Sequence, residues 1–212
     1  MTSPKTVLLA VAIVAGVGWS LQQVTGRETV VGLPCDGCEG VFDNMPSTLD
    51  SAARIAPSGE PGEPMRIEGV VRNSGGRPAA GVVVYAYQTN AKGFYPTEGR
   101  RAGQPAHRHG FLRGWARTDA NGRYRFDTIR PGGYPNTNIP QHVHMHVIEP
   151  GRYTYYIDEI VFTDDPRLTP EQRKSHPGRG GIGIVTPKRD ASGTWLVTRD
   201  IVLGQAIPGY PR

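Results

Sequence analysis

From Met65 to Gly204 the chain runs in short stretches rich in β-branched and aromatic residues, each closed by a cluster of Gly, Pro, Asn or Asp before a long helix can form. RIEGVVRN (Arg66 to Asn73) leads through SGGRPAA into GVVVYAYQTN (Gly81 to Asn90). GWARTDANGRYRFDTIRPGGYP (Gly114 to Pro135) holds a strand, a turn at Asp119 to Gly122 and a second strand, with Tyr124 and Phe126 on one side and Arg123 and Arg125 on the other. HVHMHVIE (His142 to Glu149), YTYYIDEIVF (Tyr153 to Phe162), GIGIVTP (Gly181 to Pro187) and TWLVTRDIVLG (Thr194 to Gly204) continue the series. Side chains that alternate in this way are buried by packing sheet on sheet. The fold class is therefore all-β: a single β-sandwich domain with long active-site loops and an extended N-terminal segment. One short helix is expected, at LTPEQRKS (Leu168 to Ser175), where Thr169 caps and Pro170 takes the first helical position.

At 212 residues the chain is long enough for one domain with a sizeable core, placed at residues 65–212. Its 28 Gly and 19 Pro supply turns, and a hydrophobic content of 37% argues against disorder. The net charge is +5, but Lys and Arg are scattered and no basic run is interleaved with aromatics, so no nucleic-acid partner is expected. Residues 1–25 carry Lys5 and then the apolar run TVLLAVAIVAGVGW (Thr6 to Trp19), whose length suits a signal-peptide core better than a membrane span. The protein is expected to be exported, periplasmic or secreted; with no clear A-x-A cleavage site, an uncleaved membrane anchor is the alternative. Residues 26–64 read as an extended segment, ending in APSGEPGEP (Ala56 to Pro64), that wraps over the core without forming one. Within it, Cys35 and Cys38 of PCDGCEG are expected to form a local disulfide in an exported chain.

The stretch from Ala91 to Arg113 has little periodicity and reads as a long loop, the kind that in compact domains usually carries function. It contains His107 and His109, both expected to be solvated. His142, His144 and His146 alternate along a strand, so all three imidazoles share one face and can supply metal ligands from one rigid element. Imidazole alone does not choose among Zn, Cu, Ni and Fe. A phenol does: it becomes a phenolate ligand readily only when a hard, strongly charged cation drives off its proton, which favours Fe(III). Tyr134, in a tight bend made by Gly132, Gly133 and Pro135, is such a phenol, although a tyrosine capping the end of the sandwich fits the spacing equally well.

The run DANGRYRFDTIRPGGYP (Asp119 to Pro135), followed by IPQHVHMHV (Ile139 to Val147), resembles the signature of intradiol ring-cleavage dioxygenases, D-x-x-G-x-Y-x-F-x-T-I-x-P-G-x-Y-P preceding P-x-H-x-H. Upstream, YQTNAKGFY (Tyr87 to Tyr95) is similar to the family's W-Q-x-N-x-x-G-x-Y, and RDIVLG (Arg199 to Gly204) to its last core strand. The resemblance implies Tyr95, Tyr134, His142 and His144 as ligands of a non-haem Fe(III), with the two tyrosines catalytic as well. It also implies a small catechol-type diol and O2 as substrates, cleavage between the hydroxyl-bearing carbons and a muconate-type dicarboxylate product. Family members are often oligomeric, so a homo-oligomer is compatible with it. His146 falls one repeat beyond the ligand register and is expected beside the centre or in a structural role; Glu159, His107, His109 and Ile139 are further candidates for places beside the centre. Two departures stand out: Ile139 occupies the place of a family arginine, and Glu159 that of a polar glutamine. Both disfavour an acidic substrate unless Arg100, Arg101, Arg108 or Arg113 reaches in from the long loop. Two rival readings share parts of this pattern. One is a non-catalytic transthyretin-like β-sandwich binding module; the other is a zinc or copper protein using His142, His144 and His146.

Overall fold

Every residue of the strand Val83–Gln88 is buried, and the reason fixes where a site can lie: Val84 and Ala86 face the core between two sheets, while Val83, Tyr85 and Tyr87 face a second apolar cluster on the opposite side. A computed structural model describes residues 28–33, 38–97 and 103–211. The expected leader at residues 1–25, Cys35, Arg100 and Arg101 lie outside them. Cys38 is disulfide-bonded. Among the described residues no helix is long and apolar enough to cross a membrane.

The strands are β1 (Thr29–Val30), β2 (Ala52–Arg54), β3 (Pro64–Arg72), β4 (Val83–Gln88), β5 (Arg113–Arg117), β6 (Arg123–Ile129), β7 (His142–Glu149), β8 (Tyr153–Phe162), β9 (Ile184–Val185), β10 (Lys188–Arg189), β11 (Trp195–Thr198) and β12 (Ile201–Val202). Among the described residues they form two six-stranded sheets, in the orders β1-β8-β7-β4-β5 with β9 beside β8, and β10-β11-β3-β6-β2 with β12 beside β3. The consecutive strands β3 and β4 thus belong to opposite sheets. The expected alternation holds in β6, where Tyr124 and Phe126 enter the inter-sheet core and Arg123 and Arg125 are exposed. The helix α1 (Pro170–Lys174) forms where expected: the Thr169 hydroxyl accepts from the Gln172 N–H, and the Gln172 side chain accepts in return from Thr169 N–H.

The segment before Met65 does more than wrap. Ala52–Arg54 pairs in parallel with β6, Ile55 and Ala56 enter the inter-sheet core, and Val41, in a 3-10 turn at Cys38–Phe42, is fully buried against the outer face of β4. These short apolar insertions between turns carry no periodicity, so the sequence pattern did not expose them. The first sheet is consequently covered on both faces, and its outer face is an aromatic interior in which buried polar groups can be held.

Candidate metal centre

On β7, Val143, Met145 and Val147 point into the inter-sheet core, which turns His142, His144 and His146 to the covered outer face of the first sheet. His142 Nδ1 lies 2.7 Å from the carbonyl oxygen of Pro140 and donates to it. That places its proton on Nδ1 and leaves the Nε2 lone pair free to ligate. His142 Nε2 stands 3.1 Å from His144 Nε2 and 3.1 Å from Tyr134 Oη. Tyr134 Oη is in turn 3.5 Å from His144 Nε2 and 2.5 Å from Tyr95 Oη.

Two loops deliver the phenols. Asn90 Oδ1 accepts from the N–H groups of Lys92 and Phe94, and Asn90 N–H donates to Phe94 O, folding the loop that carries Tyr95. The Tyr134 loop docks on it: Gly132 N–H donates to Asn90 O at 2.9 Å, and the Thr89 hydroxyl donates to Gly132 O at 2.7 Å. A Cβ on Gly132 would sit 2.5 Å from Ala91 O, so glycine is required by this contact. The buried Gln88 ties the loop bases to β6, donating to Ile129 O and accepting from the Thr128 hydroxyl.

A β-bulge completes the arrangement. β8 pairs Ile160 with Val143 and Ile157 with Met145, so two β8 residues, Asp158 and Glu159, oppose the single residue His144. The extra residue shifts the alternation, so that Tyr155 and Ile157 but then Ile160 and Phe162 fill the core. Glu159 is thereby turned to the outer face, with its Oε1 3.6 Å from His144 Nδ1. The neighbouring Asp158, 1% exposed, is directed elsewhere.

The donor set fits a metal ion. Atoms bound at about 2.0–2.1 Å and set at right or tetrahedral angles lie about 2.8–3.4 Å apart, close to the 3.1, 3.1 and 3.5 Å found here. Burial, with His144 beside it, lowers the His142 pKa, keeping that ring neutral as a ligand must be. Burial and the hydrogen bond to Tyr134 push the Tyr95 phenol far above its usual range, and burial also raises Tyr134 despite its bond to Tyr95. Two such phenols ionise only when strong positive charge arrives between them. Burial would raise Glu159, but His144 overrides it and holds the carboxyl at about 2, so it is an anion facing an imidazole. Among the described residues no group of three or more His, Cys, Asp and Glu is arranged to hold a metal ion, so the candidate donors here include the two phenols.

A cavity of about 380 Å³ opens on this cluster, lined by Tyr95, Tyr134, His144, Glu159, Tyr87, Tyr156, Ile157, Met145, Arg108, His109 and His146. His146 is buried one repeat along the strand, with its pKa depressed to about 3 by burial and then by His109. It lines the same cavity as Tyr95, Tyr134 and His144. His109 is a correction: it is 1% exposed, not solvated, because its Nδ1 is hydrogen-bonded to Tyr85 Oη at 2.7 Å and its ring stacks on Tyr87, which stacks in turn on His144. The signal was the Y-A-Y of β4, which places two rings on the same face. His107 is half-buried and is not among the cavity residues. Arg108 does reach the cavity. Arg113 does not; it donates to Gly40 O and Asp43 O and covers the Trp115 ring. Ile139, 45% exposed, lines a separate cleft with His142 and Glu159.

A family model described as Dioxygenase matches residues 41–193, more than half of the chain. Over 135 residues the chain is 33% identical to the protocatechuate 3,4-dioxygenase beta chain of Burkholderia cepacia, a match covering 61% of this chain and 57% of that one. The chain belongs to the intradiol ring-cleavage dioxygenase family. It is also similar to the solved dioxygenase domain of a dioxygenase and carbohydrate-binding fusion from Streptomyces sp. SirexAA-E, with a TM-score of 0.56, 27% identity and coverage of 77% of this chain and 97% of that one. The catechol 1,2-dioxygenase of Acinetobacter sp. ADP1 shares the fold, with a TM-score of 0.56 at 21% identity over 78% of this chain and 62% of that one. The chain thus spans little more than half the length of the Burkholderia relative. Within this dioxygenase fold, the cleft beside His142 that Ile139 and Glu159 line has no Lys or Arg among its lining residues.

Proposed function

We propose that the protein is a non-haem Fe(III) dioxygenase that cleaves a catechol-type diol between its two hydroxyl-bearing carbons, adding both atoms of O2 to give a muconate-type dicarboxylate. The observation that carries this reading is the convergence of Tyr95 Oη, Tyr134 Oη, His142 Nε2 and His144 Nε2. When bound there, Fe(III) would supply Lewis-acid activation and a template for the diol. Two phenolates and two neutral imidazoles suit that hard, trivalent ion and offset much of its charge. Tyr134, on its glycine turn, is the group placed to take a proton from a substrate hydroxyl. Glu159 holds His144 in orientation through Nδ1, and Pro140 O does the same for His142. Tyr156 and Ile157 wall the cavity against which an aromatic ring can lie.

The apolar N-terminal run supports export, to the periplasm or outside the cell, either cleaved or as an anchor. The substrate would then be a phenol-derived diol met outside the cytoplasm.

The test is product analysis. Iron-loaded protein is incubated with catechol under isotopically labelled O2, and a dicarboxylate bearing two labelled oxygens is expected. An aldehyde-bearing product, from cleavage beside the diol, would overturn the assignment, as would no consumption of any catechol.

A further inference from the structure

The bulge on β8 sends Glu159 to the centre and Asp158 the other way, where Asp158 makes a second constellation. Its Oδ2 accepts from His176 Nδ1 at 2.8 Å and from Arg179 N–H at 2.8 Å, and Oδ1 lies 2.9 Å from Arg179 Nε. The buried Arg199 holds the loop behind it through the carbonyls of Asp158, Arg179 and Gly180. His176 is therefore fixed by a buried carboxylate on a braced loop, with its proton on Nδ1. Its other edge borders Gly183, where an added Cβ would lie 3.0 Å from Cε1 and 3.1 Å from Nε2, and it lines a cleft of about 210 Å³ beside His142 and Glu159.

The walls of that cleft are apolar at Ile139, Val161 and Leu168. Among its other polar groups, Glu159 Oε1 faces His144, His142 meets Pro140 and the cluster, and Gln172 Oε1 accepts from the cap of α1. His176 Nε2, a hydrogen-bond acceptor when only Nδ1 carries a proton, is a polar atom of the cleft lining that can meet a ligand. We propose that His176, positioned by Asp158, reads the ring substituent of the substrate and selects catechols whose short side arm ends in a hydroxyl donor. This rests on the diol being held at the four-residue centre, whose His142, with Glu159 beside it, also lines the cleft.

The probes are two catechols, one with a methyl and one with a hydroxymethyl group para to a hydroxyl, titrated anaerobically by calorimetry into the ferric protein. Wild type should bind the hydroxymethyl compound about threefold to tenfold more tightly than the methyl compound. His176→Gln keeps a polar amide near the Nε2 position and should retain that ratio. His176→Asn keeps only the Nδ1-side contact to Asp158, and should bring the ratio to about one. Both compounds binding with an unchanged ratio in His176→Asn, or a wild-type preference for methyl, overturns this inference alone. Failure of both compounds to bind at all overturns the iron-centre reading and this inference with it.

Discussion

His142 Nδ1 and the carbonyl oxygen of Pro140 are 2.7 Å apart, so a main-chain acceptor two residues upstream fixes the tautomer of a ring whose Nε2 sits in the donor cluster. In metal-free protein, two-bond proton–nitrogen spectra near neutral pH should show His142 protonated on Nδ1 and bare on Nε2. Because burial lowers its pKa, the ring should stay neutral when the pH falls below the ordinary histidine value of 6.5. The opposite tautomer, or a normal titration, would contradict the geometry.

Glu159 is an anion at any pH above about 2, and it lies at the junction of the cavity and the cleft. A ring bearing a carboxylate meets that charge in a cleft lined by no Lys or Arg, with Arg108 on the wall of the adjoining cavity. Glu159→Gln should therefore improve binding of a carboxylate-bearing catechol relative to catechol itself by about threefold to tenfold, a gain on the order of 1 kcal/mol. Measured dissociation constants for the two ligands in both proteins decide it, and an unchanged ratio would remove Glu159 from substrate selection.

His109 and His107 should respond differently to truncation. His109→Ala removes a buried ring, the bond to Tyr85 Oη and the stack on Tyr87, and should cost about 1–3 kcal/mol of stability. His107→Ala should stay within about 0.5 kcal/mol. Chemical denaturation of the two variants measures both, and equal losses would refute the burial of His109.

Alkaline stability should depend on Tyr210. Its hydroxyl and that of Tyr155 both donate to Glu149 Oε1, at 2.8 and 2.9 Å. Burial and that carboxylate push Tyr210 up from 10.0 to about 12. The folded state therefore holds the proton more tightly than the unfolded chain, and the stabilisation is complete below pH 10 and lost as pH rises from 10 towards 12. Tyr210→Phe should flatten the fall in unfolding free energy across that window; an unchanged slope would show that the pair does not form.

The sandwich was legible because its strands alternate visibly, as in RYRF, and because Thr169 and Pro170 signal a helix start in local chemistry. The four donors were legible through motif blocks, and the structure shows why those blocks hold together: Asn90 and Gly132 join the two tyrosine loops by main-chain bonds. What could not be read was set by long-range packing. The bulge opposite His144 has no sequence mark, since Asp158 and Glu159 look like an ordinary pair of strand carboxylates, yet it alone decides which of them meets the centre. The burial of His109 and Val41 likewise depends on two 3-10 turns, at Cys38–Phe42 and Pro105–His109, closing over Tyr85 and Tyr87.

The visible spectrum of protein stripped of metal and reconstituted with ferric iron tests the centre most directly. Phenolate-to-iron charge transfer should colour it red-brown, with a band that shifts on adding catechol. Tyr95→Phe and Tyr134→Phe should each weaken or move that band, while His146→Ala should keep most of it. A colourless ferric protein would contradict the four-residue centre, as would a band that survives both tyrosine substitutions and vanishes with His146→Ala.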